Sequence, residues 1–466
     1  MRTPVALLLL PSLLAQAPSR ELAEVAAAYA AKVAASAIFV SGRTLDSVLA
    51  EELAPTRPLE RLIRPLLRFD VDATAGTVTC KLGGATAVAV RTPNLGCVLV
   101  RPDAPLATLQ QRAAPEVTAP LRDPATADWP VGDRLASTPT GIDLAALDRA
   151  IDRAFRDPDD GRRVFSRAVV VLHKGQLVRE RYAAGYGADS MLPGWSMTKT
   201  LTFALVLAAQ QAGIWQTEVP EWRADDDARR HITTHHLLSM TAGLAWSERY
   251  DDPGSDALRM LFASSDHAAA YTAQPIAAAA GTTYLYSSGS TNLLCRQLRR
   301  SVGDDPTYWA WPRQHLLLRL GMRNTLIETD PSGTFVGSSY GFATARDWAR
   351  LGLLFQQRGR FAGEQILPRQ ALEDAADPAP GSRGQFGTGV WLNADPDGDG
   401  PAAREWPDLP ANLMHMDGHE GQYVVVFPDE ELVVVRLGCT KNGGFDLHGL
   451  LRAVRDAAVP AADTAR

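Results

Sequence analysis

A hydroxyl and an amine stand three residues apart in the segment GWSMTK (194–199), at Ser196 and Lys199. The stretch from Thr198 to Gly213 is rich in alanine and leucine and apolar on nearly every side, which predicts a helix buried all round. If the serine lies in the first turn of that helix, the lysine lies one turn later on the same face and can reach the hydroxyl. Unpaired amides at the start of the helix would be ready to stabilise an oxyanion.

Lysine is scarce in this chain, with five lysines among the 47 Lys and Arg residues. Burial disfavours the charged form of an amine, so a neutral Lys199, or a partner that it deprotonates, could take the proton of Ser196. The spacing therefore predicts an acyl-transfer site with Ser196 as the nucleophile. A solvated lysine beside a helix-capping serine is the alternative that the spacing alone leaves open.

The composition is that of an ordinary globular protein of 466 residues, with 46% apolar and 21% charged residues. A net charge of -6 gives no basic footprint for nucleic acid. Residues 1–17, MRTPVALLLLPSLLAQA, are typical of a signal peptide, so we expect an exported, periplasmic or secreted protein. No membrane span is predicted after them, and the oligomeric state stays open.

Residues 18–135 form a predicted accessory region and linker, and residues 136–466 a second domain. Within the first region, Arg20 to about Leu53 is predicted to be helical and Phe69 to Val100 to form short strands. Cys80 and Cys97 lie in neighbouring strand-like segments there, and they are either bridged or free buried thiols. The second domain opens with an amphipathic helix, 142–155, and a hairpin that turns at 173–175.

A hairpin followed by the Ser196 helix resembles the catalytic half of the serine β-lactamase and penicillin-binding-protein superfamily. The segments HHLLSMTAGLAW (235–246) and FVGSSYGFATARDWARLGLL (335–354) extend the resemblance. It is strongest to class C β-lactamase-like serine hydrolases, especially 6-aminohexanoate-dimer hydrolase-like and carboxylesterase members. The resemblance implies an α+β fold with three layers, α/β/α, an antiparallel sheet, and an inserted helical subdomain at about 215–324.

The resemblance also implies a tyrosine that faces the lysine, and the candidate is Tyr286 in GTTYLYSSGSTNLL. Its phenol is expected to lose its proton easily beside an ammonium, to act as general base on Ser196 and later as acid on the leaving group. Tyr284 is the near alternative. Ser288 stands where class C β-lactamases carry the asparagine of Tyr-x-Asn, and is expected at the substrate-binding surface.

A third element is an edge strand that passes the serine and turns through glycine, which HMDGHEGQYVVVFPDEELVVVRLG (415–438) matches. By resemblance, 419–421 (His-Glu-Gly) stands in place of Lys-Thr-Gly, so His419 and Gly421 are expected to bind substrate. The amides of Ser196 and Gln422 would form the oxyanion hole. A mostly neutral imidazole is a poorer anchor for a β-lactam carboxylate than an ammonium.

Together these features predict a serine hydrolase that acts through an acyl-enzyme on a small ester or linear amide. No cofactor, metal or nucleic acid is implied. The enzyme alternatives are a D-amino-acid peptidase, a wall-peptide carboxypeptidase and a weak β-lactamase. The alternative from another class is a non-catalytic peptide-binding protein with the same fold.

Overall fold

The computed structural model describes residues 20–117, 125–135, 140–224 and 226–459, so the predicted signal peptide at 1–17 lies outside the described residues. The helices are α1 (Arg20–Phe39), α2 (Leu45–Ala50), α3 (Pro58–Ile63), α4 (Leu106–Gln110), α5 (Leu144–Ala154), α6 (Thr198–Gln211), α7 (Thr234–Leu238), α8 (Asp256–Ala263), α9 (His267–Thr272), α10 (Ser288–Val302), α11 (Asp305–Pro312), α12 (Ala345–Gln356), α13 (Arg369–Asp374) and α14 (Leu447–Ala458). The strands are β1 (Arg68–Asp72), β2 (Thr77–Leu82), β3 (Ala85–Thr92), β4 (Gly96–Leu99), β5 (Ser166–His173), β6 (Gln176–Tyr182), β7 (Leu192–Pro193), β8 (Thr325–Ile327), β9 (Gly341–Ala343), β10 (Arg360–Phe361), β11 (Glu364–Gln365), β12 (Trp391–Leu392), β13 (Met414–Gly418), β14 (Gln422–Phe427) and β15 (Leu432–Gly438).

A six-stranded antiparallel sheet forms the central layer, in the order β12-β13-β14-β15-β5-β6. Strand β5 is buried along its whole length because both faces of the sheet are covered. Val169 and Val171 face the core shared with α5 and α14, while Val170 and Leu172 face the opposite core with α12. Helix α6 lies beyond α12. The predicted three-layer α+β fold with an antiparallel sheet is confirmed.

The helices α7 to α11 follow α6, as expected for an inserted helical part, and α10 is the element that matters for the site. It begins with the side chain of Ser287 accepting a hydrogen bond from the amide of Ser290, so the chain turns into the helix at Ser288. All residues from Ser288 to Leu298 are buried. A small sheet, β7-β9-β8, lies beside the start of α6, with the amide of Gly194 donating to the carbonyl of Gly341 at 2.8 Å.

The accessory region consists mainly of α1 packed on the antiparallel sheet β1-β2-β3-β4. Helix α1 is long and apolar enough to cross a membrane by length and composition, but 67% of its most apolar window is buried in the fold. Cys80 on β2 and Cys97 on β4 are free thiols, because β3 lies between their two strands. The bridge that the sequence left open is therefore not formed.

A buried ion pair joins α1 to the rest of the chain. Lys32 binds Glu328, and both side chains are at most 4% exposed. The hydroxyl of Ser36 donates to Glu328 at 2.9 Å, and the amide of Cys97 donates to the same carboxylate at 2.7 Å. Both oxygens of this buried carboxylate therefore have hydrogen-bond partners. Residues of α1 and of the central sheet also belong to one continuous hydrophobic core.

Replacing Glu328 with leucine should lower the free energy of unfolding by about 3–5 kcal/mol, because it leaves Lys32 buried without its partner. Urea denaturation measures this loss, and the double variant Lys32→Met/Glu328→Leu should recover most of it. The exposed pair Arg369–Glu373 is the control, since Glu373→Ala should cost less than about 1 kcal/mol. A Glu328→Leu variant as stable as that control would contradict the account.

Candidate active site

The serine lies on a tight turn directly before a buried helix. Ser196 is the middle residue of the 3₁₀ turn Trp195–Met197, and α6 follows at Thr198. Trp195 has a positive φ of 47°, an uncommon conformation for a bulky residue. A Cβ atom on Gly194 would lie 2.1 Å from the ring of Trp348, so only glycine fits there. This packing holds the turn in one conformation with Ser196 at the start of α6.

Lys199 contacts the serine as its position on the same face of the chain predicts. Its amine lies 3.1 Å from Ser196 Oγ, 3.0 Å from Ser288 Oγ and 3.0 Å from the carbonyl oxygen of Ser338. The lysine is 4% exposed. Three oxygens, contributed by three separate parts of the chain, therefore fix the position of the amine.

Burial lowers the pKa of Lys199 to about 8, and the negative charge of Glu248 opposes this shift. Among the described residues, no carboxylate oxygen lies within 4.0 Å of the amine, whereas Lys32 and Lys441 each bind a carboxylate directly. Without a direct counter-ion, burial disfavours the ammonium relative to a lysine in water. Lys199 can therefore be neutral near pH 8 and accept a proton.

Tyr286 faces the amine from the opposite side, with the centre of its ring 4.7 Å from Lys199 Nζ. Burial raises the pKa of Tyr286 well above 10, the nearby Tyr250 adds to the rise, and hydrogen bonding to Ser196 only partly offsets it. The phenol therefore keeps its proton at neutral pH. This corrects the expectation of an easily lost proton: Tyr286 has the predicted place, but Lys199 is the better base.

Tyr284, the near alternative, lies elsewhere. Its ring packs on Phe386 at 5.5 Å, and its buried hydroxyl has no hydrogen-bond partner among the described residues. Its pKa is raised by burial and by the charge of Glu248. Of the two tyrosines, Tyr286 is the one whose hydroxyl interacts with Ser196.

Ser288 is fully buried behind the amine instead of lining the substrate surface. Its hydroxyl accepts a hydrogen bond from Lys199 and donates one to Glu248. With its hydroxyl engaged on both sides, it has no group to offer a substrate. The structure thus corrects the expected substrate-binding role of Ser288 and places the residue between the lysine and a carboxylate.

The predicted hairpin brings His419 to the site. The ring of His419 lies 5.6 Å from Trp195 and 5.6 Å from Tyr250, and its side chain is 40% exposed. Burial lowers the pKa of His419 below its ordinary value, so the imidazole is neutral at physiological pH. Gly421 lies in the turn with a φ of 83°, and it is followed by β14.

Gln422 is the first residue of β14, the strand that follows the turn. It pairs with Gly418 across β13 and β14, and its side-chain amide donates to the carbonyls of His419 at 3.0 Å and Gly438 at 2.7 Å. The residue of this hairpin that meets the nucleophile turn is Gly418, where a Cβ would lie 2.2 Å from the carbonyl oxygen of Gly194. The structure therefore brings Ser196, Lys199, Tyr286 and His419 together, whereas Gln422 is paired with Gly418 in the ladder of β13 and β14.

Two residues of the site, Glu248 and Tyr250, were missed from the sequence, and Trp246 was included in the segment 235–246 without a role. Glu248 accepts hydrogen bonds from the indole of Trp246 at 2.5 Å and the phenol of Tyr250 at 2.6 Å. The phenol of Tyr250 also lies close enough to the hydroxyls of Ser196 and Ser288 to interact with them. The sequence signal that could have identified them is the spacing of two residues in WSERY (246–250), which places these three side chains on one side of an extended segment.

The accessory region supports the turn that carries His419. Glu420 is buried and binds the amine of Lys441, which also donates to the backbone carbonyl of Glu52 at 2.6 Å. Glu52 itself is held by Arg167 of β5 at 2.6 Å. One end of the hairpin is therefore tied through Lys441 to the segment that follows α2.

Residues 151–459 match the family model described as Beta-lactamase. No curated protein matches the chain. Among solved structures, one similar protein is a Bacillus anthracis protein assigned as a 6-aminohexanoate-dimer hydrolase, with 20% identity, a TM-score of 0.53, and coverage of 70% of this chain and 88% of that one. EstCE1, a hydrolase with promiscuous acyltransferase activity, is 16% identical with a TM-score of 0.54, and the match covers 67% of this chain and 98% of that one. A family VIII carboxylesterase is 14% identical with a TM-score of 0.52, and the match covers 70% of this chain and 99% of that one. At these identities the likeness establishes the fold.

The geometry predicts that the rate at which a fluorophosphonate labels Ser196 will rise with pH through a midpoint near 8. Below that pH Lys199 is charged and cannot accept the serine proton, so labelling is slow. Mass spectrometry of the adduct over a pH series measures the rate. Lys199→Ala should remove both the labelling and its pH dependence, whereas Lys174→Ala, in an exposed hairpin turn, should match the native protein. A rate independent of pH between 6 and 10 would contradict the assignment.

Proposed function

We propose, from the premise that this chain belongs to the β-lactamase family, that it is a serine hydrolase acting on an uncharged ester or linear amide through an acyl-enzyme. The observation that carries the proposal is the contact of Ser196 Oγ with the buried amine of Lys199 at 3.1 Å, beside Tyr286. A solvated lysine near a capping serine would be exposed and charged. A protein that only binds peptides has no need of a proton acceptor behind a serine.

Each proton has a place to go in this arrangement. Ser196 Oγ attacks the substrate carbonyl and gives its proton to the neutral amine of Lys199. Tyr286, which is neutral, donates its proton to the leaving group and is reprotonated by the ammonium of Lys199. A water molecule then attacks the acyl-enzyme, and the same groups return the proton to Ser196.

The oxyanion would be held by the amide of Ser196 and by an amide on the open edge of β13. The carbonyl of Leu413 accepts a hydrogen bond from the backbone amide of Asn393, on the side of β13 that faces β12. Along a strand, the backbone N–H and C=O groups of every second residue point to the same side. The amide of residue 417 therefore points away from β14, and residue 419 follows directly after the end of β13. Because the ring of His419 touches Trp195, we assign the second oxyanion donor to the amide of His419 in place of Gln422.

The surroundings of the nucleophile favour an uncharged acyl group. Aromatic rings from Trp195, Tyr250 and Tyr286 lie around the serine, and Trp391 stacks at 5.3 Å on Tyr286. His419 is neutral, so it offers no ammonium to a substrate carboxylate. A β-lactam is therefore a poorer substrate than an ester, although a D-amino-acid peptidase or wall-peptide carboxypeptidase activity uses the same machinery.

Export remains part of the proposal, supported by the composition of residues 1–17. The four cysteines are free and buried, so the fold is complete without disulfides. Sequencing the amino terminus of protein recovered from the periplasm or medium would test export, and an intact Met1 would argue against it.

We expect a short-chain aryl ester to be turned over with a kcat/KM on the order of 10²-fold or more above that of nitrocefin, because nothing at His419 anchors a carboxylate. A linear amide dimer should rank between them. Initial rates with the native protein and with Ser196→Ala measure this, and the variant should be inactive on all three. Nitrocefin turnover as fast as ester turnover would reject the substrate class, and a protein that no fluorophosphonate labels would be a binding protein.

A further inference from the structure

The carboxylate of Glu248 receives four hydrogen bonds beside the catalytic lysine. One oxygen accepts from the phenol of Tyr250 at 2.6 Å and from the hydroxyl of Ser288. The other accepts from the indole of Trp246 at 2.5 Å and from the amide of Ser288 at 2.9 Å. The position and orientation of this carboxylate are therefore fixed by groups on two separate segments.

An ionised carboxylate can only accept hydrogen bonds, so it decides where the single proton of the Ser288 hydroxyl lies. That proton is directed at Glu248, which leaves only lone pairs of Ser288 Oγ to face Lys199 Nζ at 3.0 Å. The amine must therefore donate to Ser288. It must also donate to the carbonyl of Ser338, which has no proton of its own, at 3.0 Å.

A neutral amine has two N–H bonds and one lone pair. The two N–H bonds are used by Ser288 and Ser338, so the lone pair is left for the third neighbour, Ser196 Oγ at 3.1 Å. This is the orientation in which the amine takes the serine proton. If Ser288 could instead donate to Lys199, its O–H would occupy the lone pair and compete with Ser196.

We propose that Glu248 is a positioning residue for Lys199, which through the hydroxyl of Ser288 directs the lone pair of the amine at Ser196. The inference rests on the proposed hydrolase function and adds to it a residue that touches neither substrate nor nucleophile. It also explains a serine at position 288: a short hydroxyl bridges the 3.0 Å to Lys199 and reaches Glu248 at once.

Glu248→Gln tests the proposal, because the amide nitrogen of glutamine can donate to Ser288 and reverse its hydroxyl. Labelling of Ser196 by a fluorophosphonate and ester kcat/KM should fall about 10- to 100-fold, the range in which a misplaced proton acceptor is felt. The midpoint of the rising pH limb should move below that of the native protein, since the carboxylate charge that raises the pKa of Lys199 is gone. A merely structural role would lower the rate equally with and without the hydroxyl of Ser288.

Ser288→Ala removes the bridge itself, so adding Glu248→Gln to it should lower the rate less than about twofold further, about the resolution of such a cycle. The midpoint should still fall, because the charge of Glu248 acts on Lys199 through space. Glu430→Gln, which removes a carboxylate paired with Arg455 on the far side of the sheet, is the charge control and should leave both quantities unchanged. Thermal denaturation of each variant checks folding, and if Glu248→Gln does not fold, Ser288→Ala decides the question: a rate lowered about 10- to 100-fold would support the proposal and a native rate would overturn it.

A native rate in Glu248→Gln, or a loss of rate that adds fully to that of Ser288→Ala, would overturn the proposal. Failure of the hydrolase function itself has a different signature, because the native protein would then show no labelling at Ser196. The two failures are therefore distinguished by the native protein alone.

Discussion

The site depends on one unfavourable burial: the amine of Lys199 is enclosed by the fold, and no carboxylate of the described residues is in direct contact with it. The cost of removing a charge from water makes the neutral amine available near pH 8. Lys32 and Lys441 show the contrast, because each is also shielded but binds a carboxylate, and Lys441 has a raised pKa. The same side chain is thus an ion-pair partner in two places and a proton acceptor in the third.

The elements around this amine are the ones that local sequence patterns identify well. The apolar run after Thr198 forms α6, the turn at Lys174 and Gly175 joins β5 to β6, and the run from Met414 onward forms β13 to β15. Each is set by hydrophobic periodicity and turn residues close together in the chain. The order of strands in the central sheet is not local and was not predicted, because the family resemblance implied only an antiparallel sheet between helical layers.

Several properties of the site could not be read from the sequence, because they arise only when distant segments pack together. The protonation of Tyr286 depends on burial and on Tyr250, and the role of Ser288 depends on Glu248, forty residues earlier in the chain. A motif supplies residue types at a spacing. Solvent exclusion and the direction of hydrogen bonds, which decide the chemistry, are set by α10 and the WSERY segment meeting at the start of α6.

The central claim is that Lys199 loses its proton near the working pH of the enzyme. With only five lysines, ¹⁵N-lysine labelling gives few side-chain signals, and Lys199→Ala identifies the one in question. Following its ¹⁵N chemical shift from pH 6 to 11 measures the ionisation directly. The account predicts a midpoint at about 8, and a midpoint near the ordinary lysine value of about 10.4 would contradict it.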